Sequence, residues 1–164
     1  MRIARRHHLS ACVTGAALGL VILAGAAGAD PPSIVVADFD YVDTSGEPGD
    51  QQAQHAARLQ AFASAVRAEL AQSGKYRVTP CPSTPCSVGR GDPSALIADV
   101  RKSGARLVLY GGIHKMSTLI QFAKVQMLDI ESDKLVFDRL FSFRGDTDEA
   151  WQHAQRFLVR ELLQ

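Results

Sequence analysis

A chain of 164 residues with 18 Lys and Arg against 17 Asp and Glu has no charge surplus with which to hold nucleic acid or an anionic lipid surface. Its 46% hydrophobic content is enough for a packed core, and no internal repeat or low-complexity tract follows residue 29. The chain opens on Arg2, Arg5 and Arg6, continues through 21 uncharged residues (9–29), and ends that stretch on Ala27-Gly28-Ala29. A basic start, an apolar middle and small residues at −3 and −1 form a bacterial-type secretory signal peptide, with cleavage expected between Ala29 and Asp30. An uncleaved anchor competes, because 21 uncharged residues suffice to span a bilayer. Leu9-Ser10-Ala11-Cys12 suggests a lipoprotein signal, but Cys12 precedes the apolar stretch instead of following it. Arg5-Arg6 suggests a twin-arginine signal, which His7-His8 fits poorly.

Cleavage would leave one domain of 135 residues (30–164), with 15 basic against 17 acidic residues and a formal charge of −2. The location expected for it is periplasmic or secreted, with no membrane span after Asp30. Loss of Cys12 leaves Cys81 and Cys86 as an even pair in C-P-S-T-P-C, a stiff, turning loop. An oxidising compartment favours a structural disulfide. A metal site would need two further ligands, and no His lies nearby. A redox dithiol would normally have two intervening residues and a helix start.

Residues 33–39 are short, apolar and β-branched, and predict a central strand. Residues 43–50, with Gly46, Pro48 and Gly49, predict a loop. Leu59, Phe62, Ala63, Val66 and Leu70 follow helical spacing, with Gly74 as the stop. Residues 76–79 predict a second strand. Asp92-Pro93 opens a short helix with Leu96, Ile97 and Val100 on its apolar face, ended by Gly104. Residues 107–110 predict a buried strand ending at Gly111-Gly112. Alternation of Ala123, Val125 and Met127 with Lys124 and Gln126, a polar turn at 131–134, and Leu135, Phe137, Phe141 and Phe143 on one returning face predict an antiparallel hairpin over 119–143. Asp146 with Glu149 opens the last helix as a capping-box variant, and Trp151, Ala154, Leu158 and Leu162 line its inner face. The order β-α-β-α-β-β-β-α predicts an α+β fold: a mixed sheet with about three helices against it and a C-terminal antiparallel hairpin.

Three segments carry a family resemblance: residues 111–120 (GGIHKMSTLI), 127–137 (MLDIESDKLVF) and, most specific, 144–151 (RGDTDEAW). The chain resembles a family of exported bacterial proteins grouped as a domain of unknown function. Met116, Asp146 and Ala150 stand where members usually carry Val, Asn and Ser. The resemblance implies a fold similar to the amino-terminal domain of TolB and to CsgG-like periplasmic domains. It also implies a ligand-binding or interaction module without catalytic residues, another periplasmic protein as partner, and an association with quinoprotein alcohol-oxidation systems.

The sharpest enzymatic pattern is the apolar strand followed by D-x-D. It resembles the nucleophile motif of haloacid-dehalogenase-like phosphatases, with Asp38 as nucleophile, Asp40 as acid/base, Lys115 as the lysine and residues 145–149 as the last acidic motif. Those enzymes need a parallel doubly wound sheet, whereas the hairpin here is antiparallel. Asp38, Asp40 and Asp43 are also weak candidates for holding Ca²⁺, though not at EF-hand spacing. R-G-D occurs at 90–92 and at 144–146, where Gly for a turn and Asp for a helix cap explain it without adhesion. The candidate contact surface comprises His114, Lys115 and Ser117 after the two glycines, with Arg144, Asp146 and Trp151 in the last turn. Trp151 doubles as a core candidate on its helix's apolar face. No cofactor and no catalytic set follows from these residues; the expectation is a non-enzymatic accessory or binding protein.

Overall fold

The structure is a computed structural model and describes residues 30–89 and 93–164. The signal-like segment with its cleavage position, and the Arg90-Gly91-Asp92 tripeptide with its expected cap, lie outside the described residues except for Asp30 itself. The chain runs β1 (Ser33–Val36), β2 (Asp40–Asp43), α1 (Gln52–Gln72), β3 (Arg77–Thr79), α2 (Ser94–Ser103), β4 (Leu107–Lys115), β5 (Ile120–Asp129), β6 (Lys134–Arg144), α3 (Asp148–Leu162). This is the expected α+β order with one short strand, β2, added after β1. The strands form one sheet in the order β3-β1-β4-β5-β6. β1 lies parallel to β3 and β4, and β2 continues beside β4 beyond the end of β1. β4, β5 and β6 run antiparallel.

All four residues of β1 are buried, so its apolar run serves both faces of the sheet. Ile34 and Val36 join the core under α1 and α3, which contribute Phe62, Val66, Leu70, Trp151 and Leu158. Val35 and Ala37 point the other way, into a smaller core with Leu96 and Val100 of α2 and Cys86. Cys86 is bonded to Cys81, as the exported-protein reading of that loop anticipates.

Three local expectations are corrected. β4 does not end at Gly111-Gly112; it runs through both glycines to Lys115. The glycines permit close strand approach: a Cβ at Gly111 would lie 2.3 Å from the Lys124 carbonyl oxygen, and one at Gly112 3.2 Å from that of Asp40. Leu135 does not share the face of Phe137, Phe141 and Phe143. Met127 pairs with Phe137 but Leu128 pairs with Leu135, so a bulge at Val136 inverts the alternation. Finally, Asp146 does not cap α3. Thr147 is the N-cap, its Oγ1 accepting from the Ala150 amide at 3.2 Å, because the Asp146 carboxylate is occupied elsewhere.

Candidate functional site

β4 delivers Lys115 to the interior at the end of its run, where the side chain has no solvent exposure. A buried ammonium needs acceptors for its three protons. The Nζ donates to Glu47, to Gln51 Oε1 at 2.8 Å and to Asp146 Oδ2 at 2.7 Å, with Asp43 Oδ2 at 3.9 Å. Glu47 and Gln51 come from the loop leading into α1, and Asp146 from the turn between β6 and α3. Gly145, at φ 92°, makes that turn.

Asp146 gathers further donors. Oδ2 also meets His55 Nε2 at 2.7 Å, while Oδ1 accepts from Arg58 Nη1 at 2.9 Å, Trp151 Nε1 at 3.2 Å and Gln121 Nε2 at 3.3 Å. Arg58 extends the chain to Asp148 Oδ1 at 2.8 Å. The His55 ring lies 4.5 Å from that of Tyr41 and 6.5 Å from that of Trp151, measured between centroids. One carboxylate thus ties α1, β4, β5 and α3 together. Burial would raise the Asp146 pKa, but hydrogen bonds from Lys115, His55 and Trp151 outweigh it and hold the carboxyl well below 3.8. Burial would lower the Lys115 pKa, but hydrogen bonds to Asp146 and Glu47 outweigh that and lift it above 10.5. The Tyr41 hydroxyl is buried with no hydrogen-bond partner among the described residues, and its pKa is raised by burial and by the nearby Asp146 and Asp43 charges.

Of the six residues expected at a contact surface, the structure brings Lys115, Asp146 and Trp151 together, but inside the domain. Lys115 is fully buried and Trp151 is 3% exposed, so neither offers a surface to a partner. His114 projects to the opposite side of β4 from Lys115, as strand alternation requires, and its Nε2 meets Thr44 Oγ1 at 2.8 Å. Ser117 closes the β4–β5 turn, its Oγ accepting from the amides of Leu119 and Ile120 at 3.3 and 3.1 Å. Arg144 stands exposed at the end of β6.

The D-x-D pattern is taken apart. Asp38 pairs with Arg67 Nη2 at 2.7 Å, and the same guanidinium holds the Val36 carbonyl. Asp40 Oδ1 accepts from the Gly89 amide at 3.2 Å, and Asp43 Oδ1 from that of Ser45 at 2.8 Å. Among the described residues no three His, Cys, Asp or Glu side chains converge as a metal-holding set, so Asp38, Asp40 and Asp43 form none. The parallel neighbours of β1 suit the phosphatase pattern, whereas the terminal hairpin does not.

His55, Arg58, Glu47 and Gln51 escaped sequence reading. His55 carried a signal: it continues the Leu59–Phe62 stripe one helical turn earlier, where an imidazole on an apolar face needs a partner. Two depressions flank this region. One, of about 380 Å³, is lined by Tyr41, Asp43, Glu47, Gln51, His55 and Leu59; the other, of about 690 Å³, runs between α1 and α3 over Phe62 and Trp151.

The sequence model of a family described as a protein of unknown function (DUF2380) matches residues 32–163. The chain belongs to this family, DUF3280. Membership agrees with the resemblance carried by the glycine, hairpin and last-turn segments. No curated protein matches the chain. Among solved structures, the hypothetical protein CT253 from Chlamydia trachomatis is similar over 80% of this chain and 95% of its own, with a TM-score of 0.53 at 14% identity. PelC from Paraburkholderia phytofirmans, which forms a dodecamer, is similar over 84% and 88%, with a TM-score of 0.50 at 14% identity. TolB from Acinetobacter baumannii is similar over 79% of this chain and 26% of its own, with a TM-score of 0.47 at 14% identity. These are likenesses of fold. Among the described residues no helix is long and apolar enough to cross a membrane.

Proposed function

We propose that this chain is a non-enzymatic accessory or binding protein of the bacterial cell envelope, acting through contact with another protein. The observation that carries the reading is the saturation of its charged cluster. All three Lys115 donors are engaged, and Asp146 accepts from five side chains, so the densest set of ionisable groups holds the fold together instead of awaiting a substrate. The export pattern of residues 1–29 and the Cys81–Cys86 bridge support the envelope location. A fold used in PelC as an assembling subunit supports an interaction role. The exposed Arg144 and the 147–149 turn, with His114 on the adjoining sheet face, supply the contact region in this reading. Service to a quinoprotein oxidation system, implied by the family resemblance, is its narrower form, to be tested by co-purification with such a dehydrogenase.

The test combines fractionation and turnover. Protein carrying a photo-crosslinker at Glu149, in the exposed turn and off the β6 edge, is expected in the periplasmic fraction, joined to one discrete envelope protein, with no hydrolysis of phosphate esters. Mg²⁺-dependent phosphate release that disappears in Asp38→Asn would overturn the reading in favour of the phosphatase pattern.

A further inference from the structure

The large hydrophobic side chains exposed among the described residues are Met116, Leu119, Leu135, Val136 and Leu140, at 49, 65, 49, 53 and 63%. All five belong to the β4–β5–β6 meander. Among the described residues β6 is the last strand of the sheet order and pairs only with β5, so one side of an 11-residue strand presents backbone groups that no described strand takes up. Its face away from α3 is open as well: Asp138, Leu140, Ser142 and Arg144 are all exposed, and so is Lys124 opposite Leu140. A long edge with apolar exposure is a template for another strand.

We infer that this edge takes β6 of a second copy of the same chain, antiparallel, about a two-fold axis at Phe141. The charges of the strand choose both the occupant and the register. The bulge at Val136 leaves 137–144 as the regular stretch. Centring the axis on Arg139 would oppose two arginines and set Lys134 against Arg144. Centring it on Leu140 would set Arg144 against the bulged Val136. Centring it on Phe141 sets Asp138 opposite Arg144 twice and Leu140 opposite Ser142 on the open face. Opposite charges facing each other across strands stabilise a pair, and like charges weaken it. Arg144 has no ion-pair partner among the described residues, so it is free to make this one, whereas Asp138 already meets Lys124 beside it. A two-fold contact of this kind uses the same patch on both copies. The inference does not depend on a separate protein partner.

Sedimentation of the exported protein over a concentration series tests it. The expected result is a monomer–dimer equilibrium. Arg144→Asp and Asp138→Arg each place like charges opposite one another twice, and each is expected to weaken the dimer roughly tenfold or more. Mixing the two altered chains restores complementary charges at both positions, so a mixed dimer is expected to form near the original strength, as is the dimer of the doubly exchanged chain. Both side chains are exposed, and cooperative melting of the variants with a native-like circular dichroism spectrum, at concentrations where the wild type is monomeric, confirms that they fold. A wild type that stays monomeric throughout overturns the inference. So does a dimer indifferent to either reversal, which places the contact on another face. Failure of the mixed chains to pair overturns the register. Loss of a different protein's binding in Arg144→Asp, with the wild type monomeric, would assign the edge to that protein instead.

Discussion

A lysine without solvent exposure is a liability unless its counter-charges are built in, because an unpaired ammonium in the interior costs several kcal/mol. Lys115 meets this demand with one acceptor for each proton, and two of the three acceptors are carboxylates. Replacing such a pair wholesale can be neutral, but removing one partner strands the other. Lys115→Met keeps an unbranched side chain in the space while leaving Glu47 and Asp146 short of their cation. It is expected to lower unfolding free energy by about 3–5 kcal/mol in urea titration. Lys124→Met, which breaks an exposed pair with Asp138, is the control and should cost less than about 1 kcal/mol. Equal losses in the two variants would mean that the buried cluster contributes no more than a surface ion pair. Asp146 accepts from five side chains, so Asp146→Asn is expected to resemble Lys115→Met and not the loss of a helix cap.

At the scale of elements, periodicity was the most readable signal and local punctuation was readable in part: Gly104 ends α2 in the left-handed conformation and the 131–134 turn joins β5 to β6, whereas the glycine pair at 111–112 and Asp146 carried other meanings. The stripe from Leu59 to Leu70 and the alternation from Ala123 to Met127 both report one buried face, and the structure has a helix and a strand there. The Gly111-Gly112 pair reads as a stop because glycine ends many elements, yet here it marks close approach of β5 and β2 within a continuing strand. Which meaning a glycine carries depends on a neighbour distant in sequence, and single-sequence reading cannot supply that neighbour. The same holds for Asp146: its position fits a helix cap, but Lys115, the pair His55 and Arg58, and Gln121 arrive from three other elements, β4, α1 and β5. Gly111→Ala separates the two readings of the glycine. A methyl 2.3 Å from the Lys124 carbonyl must push β5 away, so the variant is expected to lose about 1–3 kcal/mol, the usual cost of overpacking. Gly104→Ala adds no contact within 4 Å but occupies a left-handed position, φ 75°, at the end of α2. A loss at Gly111 no greater than that of a solvent-facing Gly→Ala would remove close approach as the reason for that glycine.

For the whole molecule, the shifted groups combine into a pH profile with two limbs. Asp146 is held below 3.8 by its donors against the opposing effect of burial, and Asp43 likewise by Ser45. Asp129 is held down chiefly by the Ser132 amide. A carboxyl whose folded pKa is depressed contributes stability that is present above its unfolded pKa and is lost as pH falls through the folded one. The acid limb therefore begins below about pH 4, and Asp40, pushed upward by burial, opposes it. Lys115 moves the other way, above 10.5, and burial raises Tyr41, Tyr76 and Tyr110 above 10.0. A raised folded pKa gives stability that is complete below the unfolded value and lost as pH rises through the folded one, so the alkaline limb begins near pH 10. Urea midpoints at constant ionic strength are expected to form a plateau from about pH 5 to 9, falling on both sides. Because Asp146 carries the largest depression among these carboxyls, Asp146→Asn should show a lower plateau and a shallower acid limb. An acid limb as steep in Asp146→Asn as in the wild type would show that the acid sensitivity of the fold comes from other carboxylates, and that the cluster around Lys115 does not govern it.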